Sequence, residues 1–232
     1  MKGLADVLLL VVIGLSIMMV ATSRLQSCVR AVALQGVLLS LLPLVFHGLG
    51  GIGLHVAAIA TGTLVLKGLV IPWLLFRTMH EANVRREVEP WVSLHVSILI
   101  AAGLVGLSFW LSTILVMPMP VASPLLVPAA FATLLLGFLV VVSRKKAITQ
   151  VIGYLGLENG VFLFGQCLVQ ETPLVVELGL LLDLFVGVFV FGIAIHHIQR
   201  EFENIDTDEM TTLRDDRTSL AELLAPPGGR DL

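Results

Sequence analysis

Seven apolar runs divide this chain, at about residues 4–23, 30–47, 53–76, 91–116, 125–142, 147–169 and 173–198. Each is long enough, or nearly so, to cross a bilayer as a helix. The polar positions between them fall into two kinds. Basic residues follow every second run: Arg24 and Arg30 after the first, Arg77, Arg85 and Arg86 after the third, Arg144, Lys145 and Lys146 after the fifth, and Arg200 after the seventh. The alternate loops, HGLGG at 47–51, MPMPVASP at 117–124 and QETP at 170–173, hold no Lys or Arg. Basic loops stay on the cytoplasmic side, so the pattern predicts an N-terminus outside and a C-terminus in the cytoplasm. The expectation is an all-α, polytopic inner-membrane protein with seven transmembrane helices.

Proline and glycine mark most of the joints. Pro118, Pro120 and Pro124 separate the fourth run from the fifth, which predicts a compact outward-facing loop there. Pro72 lies inside the third run and leaves the carbonyl of Gly68 without its usual helical donor, next to Lys67. This predicts either an ordinary kink or a distortion that admits water. Three regions follow: an N-terminal four-helix membrane region over 1–116, a three-helix membrane region over 117–198, and an acidic cytoplasmic tail over 199–232. The first three and last three helices share a plan, with Gln35 loosely matching Glu158 and Lys67 matching Asp183; an old duplication is one reading of that.

Composition supports the membrane assignment. Hydrophobic residues make up 57% of 232 and charged residues 13%, and the mean hydropathy is +0.99, beyond what a soluble core of this length uses. The net charge of −3 comes largely from the tail and implies no nucleic-acid partner. Cys28 and Cys167 fall on different runs without metal-ligand spacing. The first run starts almost at Met1 and lacks a cleavage site, so it is expected to be a retained helix.

Against this background the charged residues inside the runs stand out. Glu158 and Asp183 sit near the middle of the sixth and seventh runs, where a carboxylate is costly. Counting roughly 1.5 Å per residue inward from Arg144 and from His196 places both at similar depth if the two helices are antiparallel. Gly156 and Gly160 flank Glu158 four residues apart; small residues at that spacing let a neighbouring helix close over the acid. A carboxyl enclosed in this way can take up a proton and release it when a nearby charge or water chain changes; its alternative is a buried acid satisfied by Asn159 for structure alone. Glu177, six residues before Asp183 and on another face, reads as an entrance or exit residue or as an ordinary interfacial acid. Lys67 is the base in the interior of a run, either part of a relay with the acids or a fixed ion pair with Glu158 or Asp183. His47, His55, His80, His95, His196 and His197 lie near the edges or in a loop, with no facing pair at mid-depth to hold a metal or haem. No P-loop, GxGxxG opening a soluble helix, CxxC or nucleophile–base pattern is present, so no cofactor or metal is expected on the chain and any redox chemistry belongs to a partner.

The basic turn Arg144-Lys145-Lys146, the GLE at 156–158, the second acid Asp183 and the closing His196-His197 resemble the small K subunit of bacterial respiratory complex I and the C subunit of Mrp-type cation/proton antiporters. The whole chain, with Lys67 ahead of Pro72, QVIGYLGLENG at 150–160 and PLVVELGLLLD at 173–183, resembles the hydrogenase-4 component E family. The resemblance covers about residues 1–205 and is most specific in the last third. It implies a non-catalytic membrane subunit of a formate hydrogenlyase-type complex, a group 4 nickel-iron hydrogenase or a formate-dehydrogenase-linked one. Its partners would be antiporter-like membrane subunits and the membrane anchor of a hydrophilic arm with nickel-iron or iron-sulfur centres. Glu158, Asp183 and Lys67 would belong to a central hydrophilic axis. A cation/proton antiporter assembly and a scaffold whose charges are only structural are the alternatives.

Overall fold

The computed structural model describes residues 2–47, 54–81, 92–115, 123–144 and 147–168, all within one compact unit. Its elements are all helices: α1 (Lys2–Ala21), α2 (Leu25–His47), α3 (Leu54–Thr63), a π-helical segment (Leu64–Val70), α4 (Ile71–Glu81), α5 (Leu94–Ile114), α6 (Leu126–Ser143) and α7 (Ala147–Leu168). Among the described residues five stretches are long and apolar enough to cross a membrane: Gly3–Ala21, Leu25–Phe46, Ala60–Arg77, Leu94–Ile114 and Leu126–Ser143. The protein is therefore a multi-pass membrane protein. α7, with 22 residues, matches such spans in length but carries Gln150, Glu158, Asn159 and Gln166; it is not among the five. The run over 173–198 lies outside the described residues.

The joint between α1 and α2 is shorter than the apolar runs suggest. The Thr22 N–H donates to the Met18 carbonyl at 3.1 Å, and the Arg24 carbonyl already accepts the N–H groups of Ser27 and Cys28 at 3.0 and 3.2 Å. One helix ends and the next starts within three residues, which lays the two side by side. The third run is one helical path with a change of register. Thr63 and Ile71, on either side of the π segment, both keep right-handed helical angles, and the Ile71 N–H reaches the Leu66 carbonyl, five residues back. In that wider register Pro72 comes opposite the carbonyl of Lys67 rather than that of Gly68, and brings no N–H to it. The distortion expected at Pro72 is thus a π turn, and Lys67 is in it.

α5 is arranged inside out relative to a soluble helix. Ser97, Ala101 and Ser108 are buried, whereas Leu99 and Trp110 are 74% and 59% exposed. Small residues face the bundle and large apolar ones face outward, the distribution expected where lipid replaces water. The Ser108 hydroxyl is satisfied locally by the Leu104 carbonyl at 2.7 Å.

α6 and α7 meet backbone to backbone. A Cβ added to Gly137 would lie 2.2 Å from the Leu157 nitrogen, and one on Gly160 would lie 2.4 Å from the Leu134 nitrogen. Phe131 and Phe164 meet edge to face, with ring centroids 5.2 Å apart. The chain leaves α6 through Arg144 in extended conformation. Arg144, read from sequence as part of a basic cytoplasmic turn, is buried and gives its Nη2 to the Val20 carbonyl at 2.9 Å. It thereby satisfies a carbonyl in the last turn of α1. Leu9 from α1, Leu39 and Leu42 from α2, Leu126 from α6 and Leu163 from α7 join one apolar core, so the regions drawn as 1–116 and 117–198 are packed together where both are described.

A methyl group at the α6–α7 contact has no room, since the obstructing atoms are backbone. Gly137→Ala is expected to lower the melting temperature of the detergent-solubilised protein by several degrees, in keeping with an overpacking cost of about 1–3 kcal/mol. Gly103→Ala on α5, where nothing lies within 4 Å, is expected to leave it unchanged or raise it.

Candidate functional site

Four elements converge on one buried polar cluster. The helix α7 supplies Glu158 and Asn159, the π segment supplies Lys67, α2 supplies Gln35 and α1 supplies Ser16. Lys67 is 5% exposed, Glu158 2%, Asn159 1%, Gln35 0% and Ser16 3%. The glycines that flank the acid explain how it is enclosed. Gly160 lies against Leu134 of α6, while Gly156 faces the Met19 methyl of α1 and the Cα of Gly137. Helices on both sides come in where side chains are missing.

Lys67 is brought in by a similar device. A Cβ on Gly36 of α2 would stand 2.8 Å from the Lys67 Cβ and 2.9 Å from its carbonyl oxygen. The π segment therefore lies directly on α2, and the lysine side chain extends past it to α7. Its Nζ is 3.0 Å from Glu158 Oε1 and donates to Asn159 Oδ1 at 3.3 Å. The ring of Phe162, one turn beyond Glu158, has its centroid 5.4 Å from Nζ and adds a cation–π contact. Of the two partners that sequence offered Lys67, Glu158 is in contact with it, and Asp183 lies outside the described residues. Both carboxylate oxygens of Glu158 are buried without a hydrogen bond among the described residues, Oε1 meeting the ammonium as an ion pair only.

Asn159 continues the cluster. Its Nδ2 donates to Gln35 Oε1 at 3.3 Å. Gln35 Nε2 donates in turn to Ser16 Oγ at 2.8 Å and to the Val12 carbonyl at 3.2 Å, and the Ser16 hydroxyl donates to that same carbonyl at 3.0 Å. The sequence reading singled out neither Ser16 nor Gln35 for chemistry. The available signal was each one's position as a polar residue inside an otherwise apolar helix, which does not show where the side chain points.

Chemically, the pair can hold one proton in two arrangements, as ammonium with carboxylate or as amine with carboxylic acid. They differ in dipole but not in total charge, and a second proton or its loss changes the charge of the site. Asp183 and Glu177 lie outside the described residues, as do His196 and His197. His95 is exposed in the first turn of α5. A second acid within a helix, Asp6 of α1, was not singled out from sequence; it accepts a hydrogen bond from Ser123, just ahead of α6, and ties those two helices together away from the lysine.

Comparison with known proteins gives an extensive match and several partial ones. The chain is 36% identical over 201 residues to the uncharacterised protein Rv0085 of Mycobacterium tuberculosis, covering 86% of this chain and 91% of that one. It is 29% identical over 116 residues to hydrogenase-4 component E of Escherichia coli, covering 50% of this chain and 54% of that one, and the match to the same component of Shigella flexneri is equal. No protein-family model and no solved structure matches the chain.

A buried ion pair is held by both partners or by neither. Lys67→Met and Glu158→Leu are each expected to destabilise the protein by about 3–5 kcal/mol, because each leaves one uncompensated charge inside. The double variant is expected to recover most of that loss. Thermal unfolding of the purified variants in detergent reads the difference directly.

Proposed function

This chain belongs to the same family as the Mycobacterium tuberculosis protein Rv0085, and from that premise we propose that it is a membrane subunit of a redox-driven, complex I-like assembly of the hydrogenase-4 type. The observation that carries this reading is the buried Lys67–Glu158 pair at 3.0 Å, a titratable couple held where charge is costly. The partial likeness to hydrogenase-4 component E supports the class of assembly. In this reading α7 is the sixth crossing and 173–198 the seventh, with the N-terminus outside, the acidic tail in the cytoplasm and the whole chain in the inner membrane. Glu158 takes up and gives out protons, Lys67 modulates its charge state, and Asp183 carries the path onward, with Glu177 nearer the outer surface. The partners are antiporter-like membrane subunits and the anchor of a hydrophilic arm of a group 4 nickel-iron hydrogenase or a formate-dehydrogenase-linked enzyme. The electron chemistry takes place on those partners.

One observation favours a second reading. The same pair, with the Lys67–Asn159 hydrogen bond across 92 residues of sequence beside it, joins the π segment to α7, so it also serves as a structural link, and a scaffold subunit needs no more than that. Glu158→Gln separates the two readings. For a proton-handling subunit the variant assembles and the complex moves fewer protons per electron in reconstituted vesicles; for a scaffold it fails to assemble or leaves coupling unchanged. Purification from native membranes under mild detergent is expected to bring down antiporter-like subunits together with nickel- or iron-containing soluble ones. Antiporter-like subunits without such metal would instead indicate ion exchange.

A further inference from the structure

The lysine–glutamate pair is unlike on its two sides. On one side a hydrogen-bond string runs from Lys67 Nζ to Asn159 Oδ1 at 3.3 Å, from Asn159 Nδ2 to Gln35 Oε1 at 3.3 Å, and from Gln35 Nε2 to Ser16 Oγ and the Val12 carbonyl at 2.8 and 3.2 Å. On the other side both carboxylate oxygens of Glu158 are buried without a hydrogen bond among the described residues, Oε1 facing the ammonium at 3.0 Å.

The direction of the string is set at both ends. A backbone carbonyl only accepts, so Gln35 must turn its NH2 toward Val12 and its oxygen toward Asn159. An ammonium group only donates, so Asn159 must turn its oxygen toward Lys67 and its NH2 toward Gln35. The two requirements arise independently and agree. Flipping Asn159 would set its NH2 against the ammonium and its oxygen against that of Gln35, and flipping Gln35 would set NH2 against NH2 at Asn159 and oxygen against oxygen at Val12. Each orphaned group would be buried, at a cost of about 1–3 kcal/mol. The string is consequently a rigid rail between the lysine and α1.

Such a rail holds a charge but does not pass a proton. Carboxamides neither gain nor lose protons near neutral pH, and the string ends on a carbonyl that has none to give. We infer that Gln35, acting through Asn159, is a positioning residue that holds the Lys67 ammonium against Glu158 Oε1 and thereby sets the charge that the Glu158 carboxyl feels. This rests on the proton-handling reading of the pair for its purpose, but the positioning role is measurable without it.

The measurement is a pH titration of the Glu158 carboxyl by infrared difference spectroscopy on the full-length protein, purified in mild detergent with the subunits that remain bound. The Glu158 band is identified as the one lost in Glu158→Gln. Gln35→Met keeps the side-chain length and removes both the acceptor for Asn159 and the donor to α1, and is expected to move the titration midpoint by at least about half a pH unit. Gln35→Asn retains an amide one methylene too short to bridge, and is expected to move it the same way; it replaces the methionine variant if that one does not assemble. Leu39→Met, one turn further along α2, is the control and is expected to leave the midpoint in place. A wild-type midpoint in an assembled Gln35 variant, or an equal shift in the Leu39 control, would overturn the inference. The band is read in the resting protein, so unchanged proton coupling in Glu158→Gln would remove the proposed function and leave the positioning result standing.

Discussion

A lysine ammonium and a glutamate carboxylate 3.0 Å apart, both buried, set the requirements for the helices around them. Neither charge is tolerable alone in a water-poor interior, so the elements that carry them must stay in register. The close contacts nearby serve that end. Gly36 lets the π segment lie on α2 so that Lys67 reaches α7, and Gly137 and Gly160 let α6 lie on α7 so that Glu158 is enclosed. Side chains larger than hydrogen at these places would push the charged groups apart or open them to lipid. The π turn contributes the remaining adjustment. Its wider ring shifts Lys67 relative to the α-helical turns on either side, and it sits beside Pro72, whose missing N–H already weakens the local ladder.

Away from that cluster the protein follows the logic of a solvent without water. α5 turns serines and alanine inward and tryptophan and leucines outward. Helix termini are satisfied by side chains from elsewhere in the chain: Arg144 completes α1, and the Ser123 hydroxyl receives the Leu125 N–H at the start of α6 while donating to Asp6 of α1. These polar contacts take the place of solvent, since an unsatisfied backbone group in hydrocarbon costs several kcal/mol. Arg144 shows that a basic residue in a turn between helices can also serve as a cap for a neighbouring helix. It can be consumed by the fold.

Much of this was legible along the chain because membrane helices announce themselves by length and apolarity. The elements over 2–21, 94–114, 126–143 and 147–168 fall within a few residues of the runs that predicted them. That Glu158 and Lys67 lie inside the bundle was legible too, since each is a charge within an apolar run. Partner identity was less legible. Depth along a helix follows from counting residues, but rotation about its axis does not, and rotation decides whether Lys67 meets Glu158 or another acid. The π turn was hidden for the same reason: Pro72 signals a missing donor, while the register adopted depends on contacts with α2. Gln35 and Ser16 were the least legible. Uncharged polar residues are common enough in membrane helices that only the shared cluster, with separations of 19 and 124 residues, gives them meaning.

Stability alone does not account for the pair. Replacing a buried ion pair with well-packed apolar side chains is often neutral or stabilising by about 1–4 kcal/mol, and leucines in place of Lys67 and Glu158 would suit an interior that already contains Leu39, Leu42 and Leu163. The scaffold reading therefore has to explain why this bundle uses the more demanding solution. One answer is specificity of register, which a charged pair enforces and an apolar one does not. Among the described residues no hydrogen bond completes the Glu158 carboxylate, and an open acceptor is what the proposed proton exchange would use.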